Sequence, residues 1–306
     1  MHVFILQRLL QMIPALLGIT LIVFVLLRSS GDPVSLMLPD DATQAQVAQL
    51  REHLGLNEPI FVQYGKFLGN ILRGDFGESI RYNAQPALQI VLERLPATLN
   101  LATYAALLAL AVSLPLGILA AIYKDRLLGH VITTMSVFGQ AIPNFWLGIM
   151  LILVFSVMLG WLPVSGRGSA LHMILPAVTL AAPLMAVLTR LVRSGLLEVL
   201  NQDYIRTARA KGVAAVTVLT KHALRNALIA YVTVFGLQVA NLLSGAVVTE
   251  QVFAYPGIGL LSVQAINARD MPLVQTIVIV ASVIIMLVNL LVDIAYVLVD
   301  PRIKYQ

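Results

Sequence analysis

Five cations and a histidine, Arg206, Arg209, Lys211, Lys221, Arg225 and His222, fall in one polar stretch between apolar runs. Their chemistry is charge recognition of phosphate or carboxylate groups. Within the stretch Ile205, Ala208, Gly212, Val216, Leu219 and Ala223 step by three or four, the spacing of one helical face, with Arg206 and Arg209 off that stripe. Such an element, broken near Gly212, wants something to cover its apolar side. Two readings fit: a helix lying on the bilayer with its arginines on lipid phosphate, or a helix that docks a protein.

Little else in the chain has the residue types for catalysis. There is no cysteine, which excludes disulfides, thiolate metal sites and cysteine nucleophiles. His2, His53, His130, His172 and His222 are scattered, so no metal-ligand cluster forms along the sequence. Neither a phosphate-binding Gly-x-x-x-x-Gly-Lys-Ser/Thr loop nor a His-Glu-x-x-His helix is present. Gln238, Asn241 and Gly245 share one face of an apolar run, either as helix-packing groups or as the lining of a polar path. Pro176 and Pro183, seven residues apart on nearly one face of another apolar run, leave that helix bent or locally open. Asn289 and Asp293 are four apart near the end of the last run, where a capping or interhelical role competes with ion coupling.

The elements that must position these groups are membrane spans. Of 306 residues, 59% are hydrophobic and only 11% charged, and the mean hydropathy of +0.88 is that of an integral membrane protein. Six spans are expected: Leu9 to Leu27, Thr98 to Tyr123, Val131 to Leu159, Met173 to Thr189, Leu228 to Thr249 and Leu273 to Val299. The first is too long for a signal-peptide core and lacks a small-x-small cleavage site. Between Arg28 and Pro96 lies a long polar segment with six basic and eight acidic residues, predicted to hold helices near Ala45 to Leu54 and Phe61 to Leu72 around a Gly55-Leu56-Asn57-Glu58-Pro59 turn. We divide the chain into residues 1–96, the first span and this outer segment, and 97–306, a core domain whose loop 194–227 carries the cationic stretch.

Six spans place both termini on one side. With the termini in the cytoplasm, twelve lysines and arginines, those of the cationic stretch among them, lie inside, and the two short outer loops hold only Arg167 and Arg269. The cationic stretch is then cytoplasmic, within reach of a soluble partner.

The residues also carry a resemblance. Asp203-Tyr204-Ile205-Arg206-Thr207-Ala208-Arg209-Ala210-Lys211-Gly212, followed by His222-Ala223-Leu224-Arg225-Asn226-Ala227-Leu228, resembles the coupling loop of ABC-transporter permeases, in the branch that imports dipeptides, oligopeptides and nickel. Further matches are Gly31-Asp32-Pro33, Gly74-Asp75-Phe76-Gly77, Arg94-Leu95-Pro96-Ala97-Thr98-Leu99, Ile142-Pro143-Asn144-Phe145-Trp146, Ile174-Leu175-Pro176-Ala177, Tyr255-Pro256-Gly257-Ile258-Gly259, Asn289-Leu290-Leu291-Val292-Asp293 and Asp300-Pro301-Arg302-Ile303. Ser30 and Ala230 stand where that family commonly has proline, which alters at most the entry of spans one and five.

What the resemblance implies is an all-α, six-span type I importer permease in the bacterial inner membrane. It would be one of two homologous permease subunits, joined by two ATPase subunits and an extracytoplasmic substrate-binding protein, with lipid around it and no nucleic acid. ATP and Mg would be bound by the ATPase subunits; this chain would hold no cofactor or metal and would not be an enzyme. Tyr204, Ile205, Arg206, Thr207, Ala208, Arg209, Lys211, Gly212, His222, Arg225 and Asn226 would form the ATPase-coupling loop, with Ala208 and Gly212 in a groove of the partner and the cations on its rim. Pro143, Pro176, Gln238, Asn241 and Gly245 would line the path. Short peptides are the expected cargo; nickel, a metal chelate or glutathione is the alternative. An ion-coupled secondary transporter would need midplane carboxylates and an internal repeat, and an intramembrane protease a Ser/His pair within spans; neither pattern is found.

Overall fold

In lipid every backbone amide must find its partner within the chain, and this sequence does so with helices. The structure, a computed structural model, describes residues 2–29, 43–53 and 57–299. Ser30, Gly31-Asp32-Pro33, Gly55-Leu56 and Asp300-Pro301-Arg302-Ile303 lie outside the described residues. The helices are α1 (His2–Ser29), α2 (Gln44–His53), α3 (Ile60–Leu72), α4 (Ala87–Ile122), α5 (Leu127–Ala141), α6 (Asn144–Leu151), α7 (Leu171–Leu200), α8 (Asp203–Ala210), α9 (Arg225–Val252), α10 (Ile258–Asn267) and α11 (Met271–Val299). Wide π-helical turns cover Ile152–Met158 and Val218–Leu224.

Five of these helices contain stretches long and apolar enough to cross a membrane, and the pair running from Leu127 to Met158 makes a sixth if counted together. That pair corrects one expectation. The third span is not continuous: its halves bend by 110° at Ile142-Pro143. Pro143 supplies no amide hydrogen for a continuing helix and instead caps α6 with an extended backbone. The segment from Glu250 to Pro272 links the fifth and sixth expected spans. Its start is still helical within α9, and Ile258–Asn267 forms a helix of its own.

The chain divides into two compact units, residues 1–96 with 257–287 and residues 97–256 with 288–306. Residues 257–287 group with the N-terminal part. In the first unit Ala87, Ile90 and Val91 of α4 pack with Leu261 and Ala265 of α10 and Leu273 and Ile277 of α11. The Phe24 and Tyr64 rings meet at 5.4 Å, and the Thr20 and Tyr64 hydroxyls share a hydrogen bond of 2.9 Å, which joins α1 to α3.

The second unit is built on α7, whose Leu180, Leu184, Leu188, Val192 and Leu196 are buried among Leu101, Ala105 and Ala109 of α4 and Leu242 and Ala246 of α9. Small residues bring its helices close, as expected where dispersion contacts rather than water drive association. At Gly117 a β-carbon would lie 2.5 Å from Val192 Cβ and 2.8 Å from the Thr189 carbonyl oxygen, so α4 and α7 cross there with space only for hydrogen.

Candidate coupling site

α8 starts after Gln202, whose backbone is extended, and places Asp203 in its first turn and Arg209 in its last, both favourable to the helix dipole. It ends in a Schellman motif. The Gly212 amide donates to Arg209 O at 3.0 Å and the Val213 amide to Ala208 O at 3.2 Å, while Gly212 takes φ +75. Val213 and Ala208, the pair that meets across such a motif, both pack against the core of the second unit. The apolar stripe expected to continue through Gly212 to Val216 is therefore interrupted: the helix stops at Ala210, and Val216 is exposed.

The buried side of α8 faces its own chain. Ile205 is wholly buried, as are Val218 and Ala223 of the returning segment, and Ala208 and Leu219 are half-buried beside them. Ile205 and Ala208, both expected in the coupling loop, help seat the helix on its own unit. The bare face carries Tyr204, Arg206, Thr207, Arg209, Ala210, Lys211 and Gly212. Arg206 lies 3.7 Å from Asp203 in an ion pair so exposed that it leaves both groups available.

A polar clamp fixes α8 from the side. Asn226 Nδ2 donates to Tyr204 Oη at 2.7 Å and to His222 O at 3.4 Å, and Tyr204 Oη lies 3.5 Å from the same carbonyl. His222 sits in the π-helical segment Val218–Leu224, where the wider turn leaves its carbonyl able to accept side-chain donors. Three residues named from the sequence for this loop, Tyr204, His222 and Asn226, thus meet in space. Arg225 is exposed nearby along the chain and takes no part in the clamp.

The five path candidates lie just before α6, in α7 and in α9, and a β-carbon at Gly245 would lie 3.9 Å from Asn144 Nδ2, next to Pro143. Pro143 is exposed at the break before α6, and Pro176 is buried inside α7. Asn241 Nδ2 donates to Gln238 Oε1 at 2.5 Å, so these two amides satisfy one another on α9. A β-carbon at Gly245 would meet Leu180 Cδ1 at 3.2 Å, which makes Gly245 a close-packing position against α7. Asn289 is exposed and Asp293 half-buried on α11.

With this geometry in place, the comparisons decide the family. The family profile described as binding-protein-dependent transport system inner membrane component matches residues 113–305, and the N-terminal profile of the same transport systems matches residues 1–102. The chain belongs to this family.

Among relatives of this permease, the oligopeptide transport system permease protein AppB of Bacillus subtilis is 45% identical over 316 residues, covering all of both chains. The di/tripeptide transport system permease protein DppB of Pseudomonas aeruginosa is 42% identical and covers 99% of each. In fold the permease is similar to a chain of the inward-facing MetNI methionine ABC transporter, with TM-score 0.59 and 18% identity over 69% of this chain and 97% of that one. An amino acid ABC transporter crystallised with histidines gives TM-score 0.53 and 14% identity over 68% and 93%. The permease is a multi-pass inner-membrane transport component with the fold of type I ABC importer permeases.

Three buried polar residues of the permease escaped the sequence reading. Glu250, at the end of α9, is wholly buried and accepts from Thr98 Oγ1 at 2.5 Å. Asp270, in front of α11, accepts from Ser79 Oγ, from the Arg81 amide at 3.1 Å and from the Leu273 amide at 3.2 Å. Tyr255 is wholly buried, and its hydroxyl has no hydrogen-bond partner among the described residues. Thr98 and Tyr255 lie in motifs seen in the sequence, but Thr98 and its acceptor Glu250 are 152 residues apart.

Proposed function

We propose that the permease is the membrane subunit of an ATP-driven importer of short peptides, pairing with a homologous permease and taking its motion from two ATPase subunits that dock on α8. The observation that carries the docking reading is the two-sidedness of α8: one side is sealed into its own unit through Ile205, and the other is bare and cationic. An element held by a Schellman turn and a side-chain clamp moves as a body, so a push on its free face is passed on rather than absorbed. Two residues, Asn201 and Gln202, separate the end of α7 at Leu200 from α8, and α7 runs 30 residues, roughly 45 Å, within the second unit. Closure of the ATPase pair would swing α8 and α7 together and reopen the path toward the binding protein. The Lys/Arg distribution supports a cytoplasmic position for α8. The names of the relatives at 45% and 42% identity support peptides as cargo.

The test uses the absence of native cysteine. Ala210→Cys, on the bare face, is expected to cross-link to a cysteine on the ATPase surface in the assembled transporter. Vesicles of that transporter with its binding protein should take up labelled di- and tripeptides only when ATP is hydrolysed. Uptake driven by an ion gradient without nucleotide would end this reading.

A further inference from the structure

In the first unit, α3 has an apolar face that its own chain leaves uncovered. Phe61, Leu68 and Leu72 stand at i, i+7 and i+11, a single line along a helix. Phe61 is 73% exposed, Leu72 is 87% exposed and Leu68 is half-buried. Gly65 belongs to the same line, and no atom of the described residues stands within 4 Å of where its β-carbon would be. Lys66 and Asn70 lie on another side of the helix. Lys66 is the one charged residue from Ile60 to Leu72, and it is paired with Glu58 at 2.7 Å.

What this face meets follows from where α3 is attached. The Tyr64 hydroxyl donates to Leu17 O at 3.0 Å and lies 2.9 Å from the Thr20 hydroxyl, and the Phe67 ring meets that of Phe24 at 5.6 Å. All three anchor points on α1 fall inside its apolar stretch Ile5–Leu26. Leu17, Thr20 and Phe24 precede Leu26 by nine, six and two residues, which on a helix is roughly 14, 9 and 3 Å before the end of the stretch. The phenol of Tyr64 therefore reaches into the hydrocarbon zone, where the Leu17 carbonyl and the Thr20 hydroxyl replace the partners that water would supply. Leu17 is itself exposed, in line with Leu10, Ile13 and Leu21 on the side of α1 that its chain leaves to lipid. The attachment thus lies at the edge of a surface already in contact with acyl chains. A helix held at that depth, apolar on one side and polar on another, fits the boundary of headgroups and acyl chains, into which interfacial helices sink by about 5–10 Å.

We propose that α3 lies in the bilayer surface at the C-terminal end of α1, with Phe61, Leu68 and Leu72 among lipid acyl chains and Lys66 and Asn70 turned to water. The polar segment between the first two spans is then anchored to lipid part-way along its length. The proposal needs α1 as a membrane span and does not depend on the import reading. A protein covering the same face is the competing occupant, and the experiment separates the two.

Phe61→Cys, Leu72→Cys and Asn70→Cys each place a single thiol in this chain, at positions exposed enough that little packing is lost. The assembled transporter is held in lipid nanodiscs, which leave both membrane faces open to reagents. Modification of each thiol by a charged, water-soluble methanethiosulfonate is followed by mass spectrometry of this chain. The thiols at 61 and 72 are expected to react about tenfold more slowly than the one at 70, since the thiolate is the reacting form and an apolar setting suppresses it. In a second measurement the unmodified chain is irradiated in nanodiscs whose phosphatidylcholine carries a diazirine on its acyl chain, and the adducts are located by mass spectrometry. Adducts are expected on Phe61, Leu68 and Leu72 and not on Lys66 or Asn70, with those on Leu10 to Leu21 of α1 as the internal standard. Equal thiol rates at all three positions would place the face in water and overturn the proposal. Slow rates at 61 and 72 without acyl-chain adducts on α3 would show that protein covers the face, and they overturn it equally.

Discussion

Asn226 Nδ2 reaches Tyr204 Oη at 2.7 Å across 22 residues of chain. This bond closes the cationic stretch on itself, because Tyr204 opens α8 while Asn226 opens the long helix α9. The bond is exposed, so its net worth to folding is small, about 0.5 kcal/mol at the low end of the usual range. Its effect is expected on motion. Tyr204→Phe and Asn226→Ala should leave the thermal midpoint of the assembled transporter almost unchanged and raise the ATP hydrolysed per peptide carried. The double variant should fall short of the sum of the two single ones, since the Asn226–Tyr204 bond is lost in both. Additive losses would show that the two side chains act separately.

Gly212 tests the turn. Its φ of +75 lies in the left-handed region, and no atom stands within 4 Å of where a β-carbon would be. The cost of substitution is therefore backbone strain alone, about 1 kcal/mol for Gly212→Ala. Asn and Asp have nearly the same shape and both enter this region more readily than Ala. Gly212→Asn is expected to transport almost normally, and Gly212→Asp, which sets an anion beside Arg209 and Lys211 on the bare face, to abolish uptake and loosen the ATPase subunits during purification. Normal uptake and retention in the Asp variant would remove the docking role from this turn.

These two cases show how far the sequence could be read. The spans were legible because about twenty apolar residues in a row have one explanation in a membrane protein. The fold of α8 was legible from its spacing, but the direction of its apolar face was not: periodicity says that Ile205 and Ala208 want cover and is silent on whether the cover is a partner or the chain itself. Pro143 was placed inside a continuous span, because whether a proline is carried within a helix or ends it depends on neighbours that rescue the freed carbonyls. Gly245 was read as a path candidate, and its close packing against Leu180 was not legible because small residues serve both paths and close packing. Asp270 was missed because Ser79, its partner, lies 191 residues away.

Gly117 marks the closest approach between α4 and α7. Gly117→Ala would force its methyl against Val192 Cβ at 2.5 Å and the Thr189 carbonyl at 2.8 Å. Overpacking of this kind costs about 1–3 kcal/mol, and trimming Val192 cannot cure it because the second clash is with backbone. The permease should lose thermal stability in detergent in both Gly117→Ala and Gly117→Ala with Val192→Ala. Recovery in the double variant would mean that the Thr189 contact relaxes.

Asp270 joins the segment around Ser79 to the start of α11 through three accepted hydrogen bonds in a wholly buried place. Asp270→Ala would strand the Ser79 hydroxyl and two amides, at about 1–3 kcal/mol for each donor left without a partner. Asp270→Asn keeps one carbonyl oxygen and should lose less. We expect the Ala variant to express poorly or to be digested by added protease between Gly74 and Gln85, with the Asn variant intermediate. Equal protease resistance in all three would show that the segment is held by other contacts.

Tyr255 makes the stability of the permease depend on alkaline pH. Its ionisation in the folded chain is held above the ordinary value of 10.0, mainly by burial, with Arg167 opposing and Glu250 and Tyr104 adding to the shift. Between the unfolded and folded values the unfolded chain has already lost the proton that the native chain retains, so unfolding becomes easier as pH rises. The contribution is complete below pH 10 and is lost as pH climbs through the folded value. Tyr255→Phe has no proton to lose. Its thermal midpoint should run parallel to that of the wild type up to about pH 9 and fall less steeply above pH 10. Identical profiles through that window would mean that the phenol ionises as freely when folded as when unfolded.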